Sequence, residues 1–407
     1  MNIGIITTWF ERGAAYVSRN YYEILSEENS VFIFARGGEK FGKDDPTWKD
    51  FPVTWTRSET VVIEKSIFEK WIKKNEIEIV LFNEQEHWWP PIIWAKELGL
   101  KTVGYVDYYK KKFINWFNIY DILLCNTKRH YSVFSWHDGA IYFPWGTNID
   151  LFTPYLRKTN KNVIFFHSAG VGGINFRKGT DLLIKAFQDV QGPVKLIIHA
   201  QVELGHFGSE IANIVANDKR ITFINETVSA PGLYHLGDVY VYPNRLDGLG
   251  LSVIEALSCG LPVICTDSAP CNENIITDYN GWLVAVKKRE KRKDDYYWPE
   301  TICDLTDLTN KMQYVVDNKN NIEEWKLNAR RYAEEKLNWK INSRSLNQIF
   351  KTLYFSKPRK INYFTWWDIK NHYSKSPSII WRIFKKTNKL LVILKRFPEK
   401  AGINPKI

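Results

Sequence analysis

Several absences narrow the field before any motif is read. None of the apolar runs in these 407 residues approaches the roughly 18 that a membrane-crossing helix needs, so a spanning protein is not expected. No basic leader stands at the start. Met1-Asn2-Ile3-Gly4-Ile5-Ile6-Thr7-Thr8 reads as a first strand rather than a secretion signal. Cysteine is scarce and odd in number, with five residues. Cys259, Cys265 and Cys271 fall six apart, which suits neither a zinc knuckle nor a CxxC redox pair, and they read as small buried residues of a reducing compartment. The expectation is a cytoplasmic chain that does not cross a membrane.

What is abundant is positive charge and aromatic surface. The formal net charge of +11 asks for an anionic partner: nucleic acid, a lipid surface or phosphorylated substrates. The excess is uneven. Lys287-Lys288-Arg289 with Lys291-Arg292-Lys293 forms one cluster, and the segment beyond Phe355 forms another. Neither matches a nucleic-acid-binding motif, so nucleic acid is not expected as a partner. The 17 Trp, 21 Tyr and 23 Phe suit carbohydrate stacking, ordinary cores and membrane-surface helices alike, and choose none of them.

Short β-branched runs alternate with helix-period stretches from the first residue. Strands are expected at Ile3–Thr7, Val31–Ala35, Ile77–Phe82, Thr102–Val106, Ile122–Cys125 and Ile141–Phe143, and helices at Ala14–Leu25, Ile63–Lys74 and Lys128–Trp136. The runs are nearly continuous in apolar residues, as in a parallel sheet covered on both faces. The alternation breaks near Trp145–Asp150 and resumes at Val163–His167. It continues through helix Gly179–Val190, strands Val194–His199, Ile221–Ile224 and Val239–Tyr242, helix Ser252–Cys259 and strand Pro262–Cys265. The division expected is an α/β domain over 1–148, a second over 162–340, and a C-terminal part over 341–407. After Trp282 the pattern turns helical, through Leu305–Val316, Glu323–Lys336 and Ile341–Tyr354. Two doubly wound domains of this kind would face each other across a cleft, with ligands beyond the carboxyl ends of the strands.

The densest signal is Tyr242-Pro243-Asn244-Arg245-Leu246-Asp247-Gly248-Leu249-Gly250-Leu251-Ser252-Val253-Ile254-Glu255-Ala256. It leaves a strand, turns through two glycines and opens a helix. Backbone N–H groups at Gly250 and Leu251 would be free beside the positive end of the helix dipole, which suits a diphosphate. Glu255, one turn inside, can reach a ribose diol, and Asp247 on the approach loop can hold sugar hydroxyls. A plain strand–turn–helix would account for the glycines equally well if this segment stood alone.

It does not stand alone. The segment resembles the acidic–x7–Glu signature of retaining glycosyltransferases with two Rossmann-like domains, the GT-B fold of glycosyltransferase family 4, and Gly260-Leu261-Pro262-Val263-Ile264 continues the pattern. Arg12-Gly13-Ala14-Ala15-Tyr16 is similar to the family's glycine-rich loop after the first strand. Trp145-Gly146-Thr147-Asn148-Ile149-Asp150-Leu151-Phe152-Thr153-Pro154 resembles the step into the second domain. Arg177-Lys178-Gly179-Thr180-Asp181 is similar to the segment whose lysine binds the donor diphosphate. The resemblance runs over roughly residues 1–350, with the matches in order.

That resemblance implies transfer of a sugar, with its anomeric configuration kept, from a nucleotide-diphosphate sugar to a saccharide or lipid-linked acceptor in bacterial cell-surface polysaccharide synthesis. No cofactor and no metal is implied. The donor would be bound by Gly13, Arg177, Lys178, Asp247, Gly248, Leu249, Gly250, Leu251 and Glu255. The catalytic set would be Asp107, Lys178 and Asp247, with Lys178 stabilising the leaving diphosphate. Three departures from the family pattern stand out. Asp247 replaces the usual glutamate. Gly172 stands where the phosphate-binding arginine is expected, so that Arg177 or another residue would have to substitute. Asp107 stands where relatives carry a histidine, and either accepts a proton from the acceptor hydroxyl or caps the next helix.

Other polar residues are weaker candidates. Glu84, Glu86 and His87 follow a strand and either line the acceptor cleft or pack a loop. His167 and His199 close strands of the second domain and are more often satisfied structural groups than ligands. Glu273, in Pro270-Cys271-Asn272-Glu273-Asn274-Ile275, is expected to cap a helix. The basic aromatic tail, with Trp366, Trp367 and Trp381, either attaches peripherally to an anionic inner leaflet or packs back on the first domain. Rival readings are a nucleotide-sugar epimerase or a phosphorylase on the same fold, and a membrane-surface scaffold without catalysis.

Overall fold

Two parallel sheets organise the chain, each built from strands too apolar to leave either face in water. In the computed structural model the residues described are 1–36, 39–56, 63–83, 89–155, 161–170, 177–357, 359 and 362–374. The first sheet comprises β1 (Asn2–Thr7), β2 (Ser30–Ala35), β3 (Val53–Trp55), β4 (Ile79–Phe82), β5 (Lys101–Tyr105), β6 (Ile122–Cys125) and β7 (Ala140–Tyr142), in the order β3-β2-β1-β4-β5-β6-β7. The second comprises β8 (Val163–Gly170), β9 (Val194–Ala200), β10 (Ile221–Asn225), β11 (Val239–Tyr242), β12 (Val263–Thr266) and β13 (Gly281–Val284), in the order β10-β9-β8-β11-β12-β13. Both are doubly wound. The strand order reverses beside β1 and beside β8, so each sheet has its crevice there, outside the carboxyl ends of its strands.

Helices α1 (Gly13–Leu25), α2 (Glu39–Gly42), α3 (Lys65–Lys74), α4 (Trp89–Glu97) and α5 (Lys128–Phe134) belong to the first domain. The second carries α6 (Thr180–Phe187), α7 (Ser209–Asn217), α8 (Leu251–Ser258), α9 (Leu305–Asp317) and α10 (Ile322–Lys336), followed by α11 (Trp339–Asn342), α12 (Leu346–Phe355) and α13 (Tyr363–Ser374). The amphipathic period expected of α1 turns Ala15, Val17, Tyr21 and Leu25 inward.

The chain crosses between the domains twice, and the two crossings run side by side. Thr147 N–H donates to the Leu337 carbonyl at 2.7 Å, and Trp339 N–H donates to the Thr147 carbonyl at 3.0 Å. Gly146 permits this approach, since a Cβ there would stand 2.6 Å from the Leu337 oxygen. Trp145 and Trp339 pack with ring centroids 4.4 Å apart, and one apolar core continues from β1 and α1 through this crossing into β11 and α8. After it α12 returns to the first domain, where Asn347 Nδ2 donates to the Ile24 carbonyl at 2.9 Å.

Two expectations need correction. The stretch after Trp282 does not turn directly helical: β13 runs to Val284, and an antiparallel hairpin of β14 (Val286–Glu290) and β15 (Glu300–Cys303) follows. Its strands are short and Lys287, Lys288 and Arg289 are exposed, so no apolar period marked it. The helix expected over Ile341–Tyr354 is broken between Asn342 and Leu346. In the tail, α13 packs on the first domain, with Ile369 fully buried, Trp116 Nε1 donating to Asp368 Oδ2 at 2.7 Å and Trp366 against the core. Trp366 is therefore spent on packing, while Trp367 is 56% exposed. Trp381 lies outside the described residues. Among the described residues no helix is long and apolar enough to cross a membrane.

Candidate active site

The site is assembled where β11 ends. Gly250, with φ of +73°, turns the chain into α8, and the Asp247 carboxylate holds that turn. Its Oδ1 accepts from the N–H groups of Gly248 at 2.7 Å and Gly250 at 3.1 Å, and its Oδ2 accepts from the Tyr242 hydroxyl at 2.5 Å. The Gly250 N–H is thus occupied by Asp247, contrary to the expectation that it would be free. The shorter aspartate folds back on its own turn, as such side chains do when they accept from following amides. Leu251 opens the helix, where first-turn N–H groups have no intrahelical acceptor.

Lys178 is brought to this turn by the glycine that follows it. Gly179 caps α6 with φ of +74°, and a Cβ there would lie 1.9 Å from the Pro243 carbonyl oxygen. No other residue lets α6 start so close to the end of β11. Arg245 fixes the same junction with a two-pronged pair to Asp181, at 2.8 and 2.7 Å. Lys178 Nζ then sits 3.8 Å from Asp247 Oδ2 and 4.9 Å from the Tyr242 ring centroid. Burial lowers the Lys178 ammonium, and the Asp247 carboxylate works against that shift. Burial would raise Asp247, but Lys178 and Arg177 outweigh it and hold the carboxyl well below the usual carboxylate range.

Glu255 lies one turn into α8 and accepts from the Tyr234 hydroxyl at 2.6 Å through Oε2. Burial raises its carboxyl. Two further groups near this turn hold unpaired polar atoms. Asn244, 1% exposed, has no hydrogen-bond partner at either end of its amide, and the same is true of Arg177 Nε, among the described residues. Buried polar atoms seldom stay unpaired, yet these are closed off from solvent and are not offered to a bound molecule as the site stands.

The first domain supplies the facing wall. Gly13 begins α1 directly opposite the start of α8: a Cβ on it would meet Leu251 Cδ1 at 3.7 Å. Two helix starts therefore face each other across the cleft, and both favour anions. Asp107 follows β5, and its Oδ1 accepts from the Tyr108 N–H at 2.7 Å. It does not cap the next helix. The 3-10 helix Lys111–Ile119 has Lys110 at its cap position and no side-chain cap.

Arg129 and His130, which the sequence did not single out, reach across from α5. Arg129 donates to the Asp247 carbonyl at 2.6 Å and to the Ala269 carbonyl, and its guanidinium lies over the Trp298 ring at 5.3 Å. His130 Nε2 is 3.3 Å from the Gly248 carbonyl oxygen, and its Nδ1 is 3.1 Å from the Tyr109 hydroxyl. The available signal was Thr127, a helix cap just past a strand end whose hydroxyl accepts from the His130 N–H. His167 lies between the Val241 carbonyl and the Thr180 hydroxyl, 2.8 Å from each, and His199 is 3.0 Å from the Glu226 carbonyl, so both are structural. Glu84, Glu86, His87 and Gly172 lie outside the described residues.

Two parallel, doubly wound domains with a helix-start cleft between them define the GT-B class, and solved structures bear this out. The chain superposes on the Anabaena protein HepE, crystallised with UDP and glucose, with a TM-score of 0.66 at 15% identity, covering 86% of this chain and 100% of that one. A glycosyltransferase from Rickettsia africae superposes with a TM-score of 0.68 at 14% identity, covering 88% and 99%. Residues 150–295 match the family glycosyl transferases group 1. The lipopolysaccharide core biosynthesis mannosyltransferase LpsB of Rhizobium meliloti is 32% identical over 124 residues, 28% of this chain and 35% of that protein. The aligned stretch thus spans about a third of the length of that curated relative.

Proposed function

We propose that the protein is a retaining glycosyltransferase of family 4, moving a sugar from a nucleotide-diphosphate sugar to a saccharide or lipid-linked acceptor of a bacterial cell-surface polysaccharide. What carries the reading is one arrangement: Lys178 Nζ, 3.8 Å from Asp247, beside the start of α8 and opposite Gly13. A diphosphate in that place would meet an ammonium group and two helix starts, with Glu255 one turn along for the ribose. The relationship to a lipopolysaccharide core mannosyltransferase supports the acceptor class.

In this reading the bond between the anomeric carbon and the diphosphate oxygen breaks while the acceptor hydroxyl attacks from the same face. The hydroxyl proton passes to the departing phosphate oxygen. Lys178 and the Leu251 N–H stabilise the charge that develops there, so that the chain's own groups meet the need without a metal. Arg177 contacts the donor. Asp247 holds the turn and keeps Lys178 ionised, while Asp107 orients the acceptor hydroxyl. The protein works at the inner face of the cell membrane, held there by the basic tail beyond Ser374.

A thermal-shift screen with UDP, GDP, ADP and their common sugars, with and without EDTA, tests the donor site. A ligand at 100 times its dissociation constant stabilises a fold by about 2.7 kcal/mol. The expected result is a selective, EDTA-insensitive shift that Glu255→Ala loses. No shift with any nucleotide would overturn the reading. Flotation with anionic liposomes tests the tail: a chain ending near Phe355 should no longer float.

A further inference from the structure

The β14–β15 hairpin belongs to neither sheet, and its tip crosses to the first domain. Tyr296 pairs with Lys110 in a single antiparallel bridge, and Tyr297 N–H donates to the Tyr109 carbonyl at 2.9 Å. The Tyr296 hydroxyl donates to the Asp107 carbonyl at 3.0 Å, and its ring stacks on Tyr108 at 4.5 Å with planes 10° apart. Trp298 Nε1 donates to the Tyr109 hydroxyl at 2.7 Å. The tip thus strapped down borders a hollow of about 540 Å³, open to solvent on one side, against the start of the 3-10 helix Lys111–Ile119.

The lining of this cavity is unusual in charge. Lys110, Lys111, Lys112 and Lys291 border it against the single carboxylate of Asp295, which pairs with Lys291 at 3.0 Å. Four ammonium groups and one carboxylate leave a surplus of three positive charges. Gathering like charges costs free energy unless an anion offsets it. The 3-10 helix that begins beside it has Lys110 at its cap position and no side-chain cap. Tyr297, 37% exposed, also lines the hollow and is the aromatic surface a sugar would meet there. The cavity is separate from the donor turn at Lys178, yet it adjoins the acceptor side, because the Tyr296 that lines it also holds the Asp107 carbonyl.

We propose that this cavity is an acceptor subsite for a phosphate group carried by the acceptor, with the adjoining sugar against Tyr297. The phosphate has two sources with the same chemistry, a phosphorylated saccharide and a lipid-linked diphosphate. The inference rests on the reading of the protein as a glycosyltransferase and adds the class of acceptor.

The test is calorimetric titration of inorganic pyrophosphate into the full chain at 150 mM salt, where attraction to scattered surface lysines is largely screened. The donor site is first saturated with the nucleoside diphosphate that the thermal-shift screen selects. One equivalent of pyrophosphate should bind, at least 10-fold more weakly in the double variant K111E/K291E. Nucleotide affinity should be unchanged in that variant, and pyrophosphate binding unchanged in the charge-matched K49E/K219E control. Absence of binding, or equal binding in K111E/K291E, would overturn the proposal. If no nucleotide binds, the donor reading fails by itself, and pyrophosphate titrated alone still tests the cavity through the same pair of variants. Competition by mannose 6-phosphate would point to a phosphorylated saccharide, and competition by geranyl diphosphate alone to a lipid-linked acceptor. Failure of both to compete would also overturn the proposal.

Discussion

Glu273 of the second domain closes the first turn of a helix in the first domain, with Oε2 accepting from the Lys128 N–H at 2.7 Å and Oε1 from the Arg129 N–H at 2.8 Å. The capping role expected of this residue is real, but the helix is across the cleft. The contact therefore couples capping to domain closure. It also fixes Arg129, whose guanidinium holds the Asp247 and Ala269 carbonyls. Losing a helix cap costs about 1 kcal/mol. Glu273→Ala is expected to lengthen the mean separation of the domains in X-ray scattering and to lower kcat/KM, with Glu273→Gln between it and the parent. Identical scattering curves for all three proteins would contradict the coupling.

Gly179 governs both stability and the site. Its φ of +74° alone costs a side chain on the order of 1–3 kcal/mol, and the Pro243 carbonyl leaves no room for a Cβ. Gly179→Ala should lower Tm by several degrees and displace Lys178. Gly13→Ala makes a useful contrast, because its Cβ would meet Leu251 at an ordinary 3.7 Å and fill cleft rather than core. It should leave Tm nearly unchanged while weakening donor binding. The two are compared by thermal unfolding with and without nucleotide, and equal Tm losses would refute the distinction.

Much of the fold was legible because the strands announce themselves. β6 and β11 run over the residues their apolar stretches predicted, Ile122–Cys125 and Val239–Tyr242. The three-residue, half-buried β3 and the charged hairpin β14–β15 carry no such pattern and were missed. The same division runs through the site. Asp247 and Glu255 were readable because eight positions on one turn and helix bring them near each other. Arg129 and Tyr296 were not, because 118 residues separate Arg129 from Asp247 and 189 separate Tyr296 from Asp107. No local period encodes such a meeting.

Histidines kept neutral by the fold predict how stability depends on pH. Burial pushes His167 down to about 4, with the nearby Lys178 charge adding to the effect, and burial with Arg359 does the same to His137. An unfolded histidine titrates near 6.5, so between pH 6.5 and 4 the unfolded chain binds protons that the native one refuses. The stabilisation is complete above about pH 6.5 and is lost as the pH falls towards 4, at up to about 3 kcal/mol for each group. Tm should therefore drop steeply between pH 6.5 and 4.5. His137→Asn and His167→Gln should each flatten that slope. A Tm that holds or rises towards acid would show that the native state accepts these protons.

Lys178 and Glu255 flank one helix start and should fail in different ways. In the proposed donor site Lys178 would face the place where charge develops as the diphosphate leaves, and its contribution would then be larger in the transition state than in the bound donor. Lys178→Ala is expected to lower kcat by about 100-fold or more, with a much smaller change in donor affinity. In the proposed site Glu255 would hold the ribose, which does not change during transfer, so Glu255→Ala should raise KM and Kd for the donor by roughly 10-fold or more and leave kcat closer to the parent. The Tyr234 hydroxyl loses its nearer acceptor in that variant and keeps only the Ser252 carbonyl at 3.4 Å, so Tyr234→Phe is the control for structure. Steady-state kinetics beside nucleotide titration separates the two effects. A Lys178→Ala protein that loses donor affinity in full proportion to kcat would assign the lysine to ground-state binding, leaving Leu251 and the α8 dipole to stabilise the departing diphosphate.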